Sequence, residues 1–295
     1  MAVAVKEAVA APASEAWAGL QATAGTPLAH GSSALFKLPA VTSELIPYKE
    51  TGEQDYMDGL VFANAQTFTK QVGGAIGGFS CLAYPDVLGR LAAIFFAEDT
   101  VTGSGDPYTH TITSGGDTET WMTIFQRLGS SGGQNLLQRF GDCKMQSFKF
   151  EAGDGQDGGA LITVGDIMGI NAGDYKSTAP SATVASDTKA IEWANVEGTI
   201  EVNGTAIATV TGESLEVSRE YELGKGDSPY IKALVGKKGL ISRSLTAFLS
   251  EETLPVLKNA LYGTTTPSDN DEITTNVVEI SVETIYTADT NRSVT

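Results

Sequence analysis

The 295-residue chain is long enough for one large domain or two ordinary ones of about 130 to 150 residues, each with its own core. A formal net charge of −17, from 36 acids against 19 bases with no Lys/Arg-rich segment, excludes a protein that grips phosphate backbones by counterion release. The longest unbroken apolar run, Leu91–Ala97, is far short of the roughly 20 residues that cross a bilayer, so no membrane insertion is expected.

The chain opens with MAVAVKEAVAAPASEAWAG, Ala-rich but interrupted by Lys6 and Glu7, and residues 1–30 read as a flexible or docking arm. The first alternating apolar positions are Phe36 and Leu38, then Leu45 and Pro47. Residues 48–78 form a polar, glycine-rich excursion that reads as a long loop, of the kind that carries function or contacts. Phe79, Cys81 and Ala83 then alternate with Ser80, Leu82 and Tyr84, which is strand spacing. Pro85 and Asp86 suit a helix's first turn, and Leu88, Leu91 and Phe95 give that helix an apolar stripe. A turn and strand follow over 103–113, with further strands at Trp121–Phe125, Met145–Phe150 and Leu161–Val164. EAGDGQDGG (151–159) is the expected connection between the last two, and the Ser/Thr/Ala-rich text around 176–190 reads as a linker.

Beyond it, Ile200 and Val202 alternate up to Asn203-Gly204, a strong hairpin signal, and Leu215 and Val217 continue the pattern. Residues 219–240 are a second polar excursion, after which Leu245, Ala247 and Leu249 mark a strand. Leu254, Leu257 and Leu261 form a second helical stripe closed by Gly263, and they lie 166 residues after Leu88, Leu91 and Phe95. Val278, Ile280, Val282 and Tyr286 share one face of a last strand. Strand, long loop, strand and helix thus recur in one order, which predicts an internal duplication. The expected fold is mainly β: two tandem β-sandwich or barrel units, 31–175 and 191–295, each with one short flanking α-helix.

No constellation of catalytic residues is legible. Cys81 and Cys143 lack a CxxC partner or a histidine cluster and read as buried small hydrophobes. His110 lies mid-strand with no GxSxG serine, and His30 sits in the small-residue arm. EAGDGQDGG places Asp154 and Asp157 suggestively, but Gln156 and Gly158 occupy calcium-ligand positions, so no metal is expected. GGAIGG (73–78) lacks the GK[ST] of a phosphate loop. Glu251 and Glu252 suit the first turn of a helix through its dipole. No cofactor and no enzymatic activity are expected, and a structural protein is favoured.

The run SCLAYPDVLGRLAAIFFAEDTVTGSGDPYTHTITSGG, followed by FGDCKMQSFKFEAGDGQDGGALITVGDIMG, resembles the tail tube (major tail) proteins of long-tailed bacteriophages. The strand-to-helix junction YPDVLGRLA, the strand PYTHT, the segment GDCKMQSFKF and an early GLQATAGTP (19–27) carry the resemblance, over approximately residues 18–290. It implies a virion protein whose sheet edges join neighbouring subunits into rings, stacked as a hollow tube through which double-stranded DNA passes. Tape-measure and tail-terminator proteins are the implied partners. Joined to the duplication, it implies a trimeric ring with pseudo-sixfold symmetry, a hexamer of whole chains being the rival. An acidic bore would repel phosphates and let DNA slide without being held. Asp55, Tyr56, Met57 and Asp58, with Asp227, Pro229, Tyr230 and Ile231, are the expected contacts between stacked rings, since they hold broadly matching positions in the two copies. Leu88, Leu91, Phe95, Leu254, Leu257 and Leu261 are the expected core residues of the helices. Other readings are a virion decoration or carbohydrate-binding β-sandwich, for which Trp17, Trp121 and Trp193 are the stacking residues on offer, and a tube protein of a contractile secretion machine.

Overall fold

The computed structural model describes residues 15–39, 42–43, 45–56, 64–103, 109–114, 120–131, 134–153, 159–171, 173–183, 190–191, 201–202, 205–206, 210–224, 232–269, 271–274, 281–283, 286–289 and 292–294. In chain order the first strands are Glu15–Gln21 (β1), Leu35–Lys37 (β2), Thr42–Ser43 (β3), Ile46–Tyr56 (β4) and Asn64–Leu82 (β5). A helix, Pro85–Phe96 (α1), leads into Ala97–Thr102 (β6), Thr109–Ser114 (β7), Trp121–Ser131 (β8) and Gln134–Lys144 (β9). Ser147–Gly153 (β10), Leu161–Gly169 (β11), Asp174–Tyr175 (β12), Glu201–Val202 (β13), Thr205–Ala206 (β14), Val210–Gly224 (β15) and Ala233–Ala247 (β16) come next. The second helix is Leu254–Tyr262 (α2), followed by Val282–Glu283 (β17), Tyr286–Asp289 (β18) and Arg292–Val294 (β19).

The chain is mainly β, with antiparallel pairing throughout. Its principal sheet runs β16-β15-β10-β11-β9-β8-β1-β2, with β5 also on β11, β4 and β3 on β5, and β12 on β9. Among the described residues the sheet does not close into a barrel, because β16 and β2 end the run without meeting another strand. The chain turns a corner at residues 145–146, between β9 and β10. β11 follows it round, pairing with β10 through Ser147↔Gly165 and then with β9 at Met168↔Lys144. A register shift between Val164 and Ile167 supplies the bend.

The two polar excursions are not loops. Residues 46–56 and 64–82 pair from Ile46↔Ile76 to Tyr56↔Asn64, and residues 210–224 and 233–247 pair from Val210↔Ala247 to Gly224↔Ala233. Two long hairpins result, whose backbone bonds hold strands that hydrophobic alternation marks only in part. β13 and β14 pair on either side of Asn203-Gly204, the arrangement expected of that dipeptide.

Alternation does place the core. Phe148 and Phe150 of β10, Ile162 and Val164 of β11, Phe79 and Cys81 of β5, Met122 and Ile124 of β8, and Ala16 and Ala18 of β1 join one buried cluster. α1 closes it with Val87, Leu88, Leu91 and Ile94. Each such aliphatic or aromatic side chain contributes roughly 1.5–3 kcal/mol by leaving water. Pro85 at the helix start has no N–H to leave unpaired, and Asp86 favours the positive end of the helix dipole. Phe95 packs against this cluster with its ring centroid 6.1 Å from that of Phe148. On the other face of β1, β8 and β9, Trp17, Phe125 and Leu137 with Leu35 form a second cluster, covered by Leu28, Ala179 and Ala182. The Trp17 indole N–H donates to the Ala182 carbonyl at 3.0 Å, so residues from the expected linker lie against β1. β1, within the stretch 1–30 expected as an arm, lies between β8 and β2 and is paired with both. Ile191 then bridges β5 to β11: its N–H donates to the Ala83 carbonyl at 2.7 Å and its carbonyl accepts from Ala160 at 2.7 Å.

Candidate assembly surfaces

Two of the segments that carry the family resemblance, GLQATAGTP and FGDCK, meet at a buried carboxylate. Asp142 is 3% exposed and has φ 52°, a left-handed conformation in which few residues other than glycine, asparagine and aspartate are at ease. Its carboxylate accepts from the Gln21 amide, from the Gly25 N–H at 2.6 Å and from the Asn171 amide at 2.5 Å. Gln21 Oε1 accepts in turn from Thr123 Oγ1 at 2.9 Å and from the Asp142 N–H at 3.1 Å. Among the described residues every donor aimed at the carboxylate is neutral, so hydrogen bonds rather than an ion pair hold it. Beside it, Gly141 lies so close to Pro27 that an added Cβ would stand 2.3 Å from the Pro27 ring carbon. The clamp fixes the exposed turn 22–26 against β9 and the exit of β11.

A second polar junction attaches the β15–β16 hairpin to the corner at 145–146. The Arg219 N–H donates to the Gln146 carbonyl at 2.6 Å, and the Tyr221 N–H donates to Gln146 Oε1 at 3.2 Å. Lys144, 4% exposed, sets its ammonium 4.3 Å from the Trp121 ring centroid and 5.3 Å from that of Tyr221, a cation–π cage in a dry site. Trp121 is therefore half-buried beneath a cation. Near the open end of the hairpin, Glu213, 6% exposed, accepts from Arg243 Nε at 2.6 Å.

Among the described residues, the outer strand of this hairpin is largely exposed. β16 is the last strand of the sheet and β15 is its sole strand partner among the described residues. Its consecutive residues Leu240 and Ile241, which point to opposite faces, are 68% and 65% exposed. Phe248 and Leu249, just beyond, are 70% and 69% exposed.

The residues singled out from the sequence fall as follows. In α1, Leu88 and Leu91 are buried and Phe95 is half-buried. In α2, the matching Leu254, Leu257 and Leu261 are 37%, 44% and 36% exposed, and the helix has no buried residue. Asp55 and Tyr56 end β4, opposite Ala65 and Asn64. Met57, Asp58, Asp227, Pro229, Tyr230 and Ile231 lie outside the described residues. His110 is on the exposed β6–β7 hairpin with Nδ1 2.9 Å from an Asp99 carboxylate oxygen. Cys81 and Cys143 are buried free thiols; burial pushes the Cys81 thiol up to about 12, and burial with the neighbouring Asp142 charge pushes Cys143 higher still. Among the described residues no group of three or more His, Cys, Asp or Glu is placed to hold a metal, and no helix is long and apolar enough to cross a membrane. The Asp142 clamp and the Lys144 cage escaped sequence reasoning; the one signal for the clamp is that its members sit in the segments that carry the resemblance.

An antiparallel β fold in which, among the described residues, the outer strand β16 and the second helix are largely exposed defines a class: a structural β subunit with apolar surface suited to a neighbour. The chain belongs to the phage tail tube protein family, whose sequence profile matches residues 13–291, nearly its whole length. Individually curated proteins gave no match. The family is structural rather than enzymatic, and the protein is accordingly a structural component of the virion tail.

Proposed function

We propose that the chain polymerises into rings that stack as the hollow tail tube through which double-stranded DNA passes into the host. The carrying observation is the uncovered apolar surface of β16 and α2, which costs solubility in a lone chain and is removed from water by a neighbour. The tandem organisation has its own support in spacing. Displaced by 166 residues, β4 falls on 212–222 within β15, β5 on 230–248 around β16, and α1 on 251–262 around α2. Two β units per chain, 31–175 and 191–295, suit a trimeric ring with pseudo-sixfold symmetry, with a hexamer of whole chains as its rival. We assign residues 55–58, which begin at the end of β4, and residues 227–231 to contacts between stacked rings. The net charge of −17 suits a bore that repels phosphate and leaves DNA free to slide. A tape-measure protein inside and a terminator at the capsid end complete the tube. Negative-stain electron microscopy of the purified protein tests the reading: rings or tubes support it, and particles that stay dispersed at high concentration overturn it.

A further inference from the structure

The β15–β16 hairpin changes character partway along. Its root is held on both sides of β15, by β16 and by β10, as far as Ser147↔Ser218. Beyond that pair, among the described residues, β16 is the sole strand partner of Arg219–Gly224. The change falls at a bulge: Arg219 lies opposite Gly239 and Tyr221 opposite Gly236, two steps on β15 against three on β16, so the hairpin bends where it leaves the sheet. Side chains of the first unit hold the far half all the same. The Tyr221 ring has two cations within reach, Lys144 at 5.3 Å and Arg219 at 5.5 Å from its centroid, and Lys144 also lies over Trp121. The Tyr221 N–H donates to the Gln146 side chain and the Arg219 N–H to the Gln146 carbonyl. Leu234, in the same half, is 5% exposed, which sets it against protein rather than in solvent.

We infer that Lys144 and Gln146 are positioning residues: they latch the far half of the second hairpin to the first unit through Tyr221, and so set the direction in which that hairpin meets the next ring. The inference rests on the stacking of rings and names what aims one of its contacts. The chemistry is that of a latch rather than of core packing, because both contacts are directional. The Gln146 amide oxygen accepts only where the Tyr221 N–H points at it, and the attraction of the ring fades once the ammonium leaves its face. The backbone they act on is bulged and has β16 alone as a strand neighbour, so without them the two-stranded ladder sets its own angle. The first hairpin cannot carry the same latch. Glu53 and Asp55 occupy the positions 166 residues before Arg219 and Tyr221, and acids offer a cation no ring. The two hairpins of one chain are thus inequivalent, one with this latch and one without it.

Hydrogen exchange of the full-length dissociated chain, with electron microscopy of assembled protein, tests the latch and its role separately. Tyr221→Leu and, independently, Gln146→Ala speed exchange of backbone amides within 221–224 and 233–236 by on the order of tenfold or more and leave those within 213–217 as they were. Both variants form rings that do not elongate into tubes. Tyr221→Phe, which keeps the ring over Lys144, matches the unmodified protein in exchange and in tube length. Unchanged exchange within 221–224 in Tyr221→Leu and Gln146→Ala overturns the latch, as does equal acceleration within 213–217, which is general loosening. Tyr221→Phe as loose as Tyr221→Leu overturns the part given to the ring. A loosened far half with tubes of ordinary length overturns the aiming of the hairpin. Failure of the unmodified protein to form rings overturns the stacking reading and the aiming with it, while exchange in the dissociated chain still decides whether the latch exists.

Discussion

Leu91→Ala and Leu257→Ala delete the same atoms from the same face of matched helices, and their costs should differ several-fold. Leu91 is 0% exposed in the main cluster, whereas Leu257 is 44% exposed on a helix that has no buried residue. Removing a buried leucine's outer carbons forfeits roughly 2 kcal/mol of transfer free energy at about 0.8 kcal/mol per methylene, and the cavity left behind brings the total to about 3–5 kcal/mol. At Leu257 about half the side chain is already wet and no sealed cavity forms, so the cost is about 1 kcal/mol or less. Alanine is at least as good a helix former as leucine, which removes propensity as an explanation. Urea unfolding of the dissociated protein, followed by tryptophan fluorescence and far-UV circular dichroism, measures both. In assembly the order reverses in importance: each 1 kcal/mol lost from a neighbour contact at Leu257 raises the assembly concentration about fivefold. Equal destabilisation of the dissociated chain by both substitutions would refute the argument, since α2 would then be covered within its own chain.

Asp142→Ala leaves the Asn171 amide and the Gly25 N–H without this acceptor and the Gln21 amide with the Thr23 carbonyl alone, and lowers unfolding free energy by on the order of 3 kcal/mol in denaturant titration. Cys81 and Cys143, with thiols pushed far above the usual range by burial, should not react with an aromatic disulfide reagent at pH 8 until the protein is unfolded in guanidinium; rapid labelling of the native protein would contradict their placement. A hydrogen bond from the Arg139 guanidinium, 2.6 Å away, holds the Asp174 carboxyl below the usual carboxylate range. A folded-state value below the unfolded one, about 3.9, makes the pair stabilising above that pH, and the contribution fades as pH falls through the lower folded value. Because Asp174 is 57% exposed, Asp174→Asn costs less than about 1 kcal/mol at pH 7, and the difference from the unmodified protein vanishes in stronger acid.

The parts legible in the sequence are those where one face is buried and the other wet. YPDVLGRLA reads as strand, junction and helix because its apolar residues follow both periods, and α1 forms there. The long hairpins were only partly legible for the opposite reason: alternation marks Leu215 and Val217 in β15 and Leu245 and Ala247 in β16, whereas β16 is wet on both faces through most of its length and its remainder carries no such signal. β1 is hidden by burial on both faces, where Ala16, Trp17 and Ala18 show no change of polarity along the strand. Leu88 and Leu254 share a pattern yet differ in burial, because periodicity reports a stripe and not what covers it. Asp142 and Gln21 are 121 residues apart, and no local signal connects an aspartate in β9 to a glutamine at the end of β1.

Counting lobes in end-on electron micrographs of the assembled protein tests the central claim most directly. Rings with three true and six apparent lobes, stacked into tubes with an open bore, are the predicted result. Six identical whole chains per ring would keep the tube and contradict the pairing of two units per chain; protein that never forms rings would contradict the account itself.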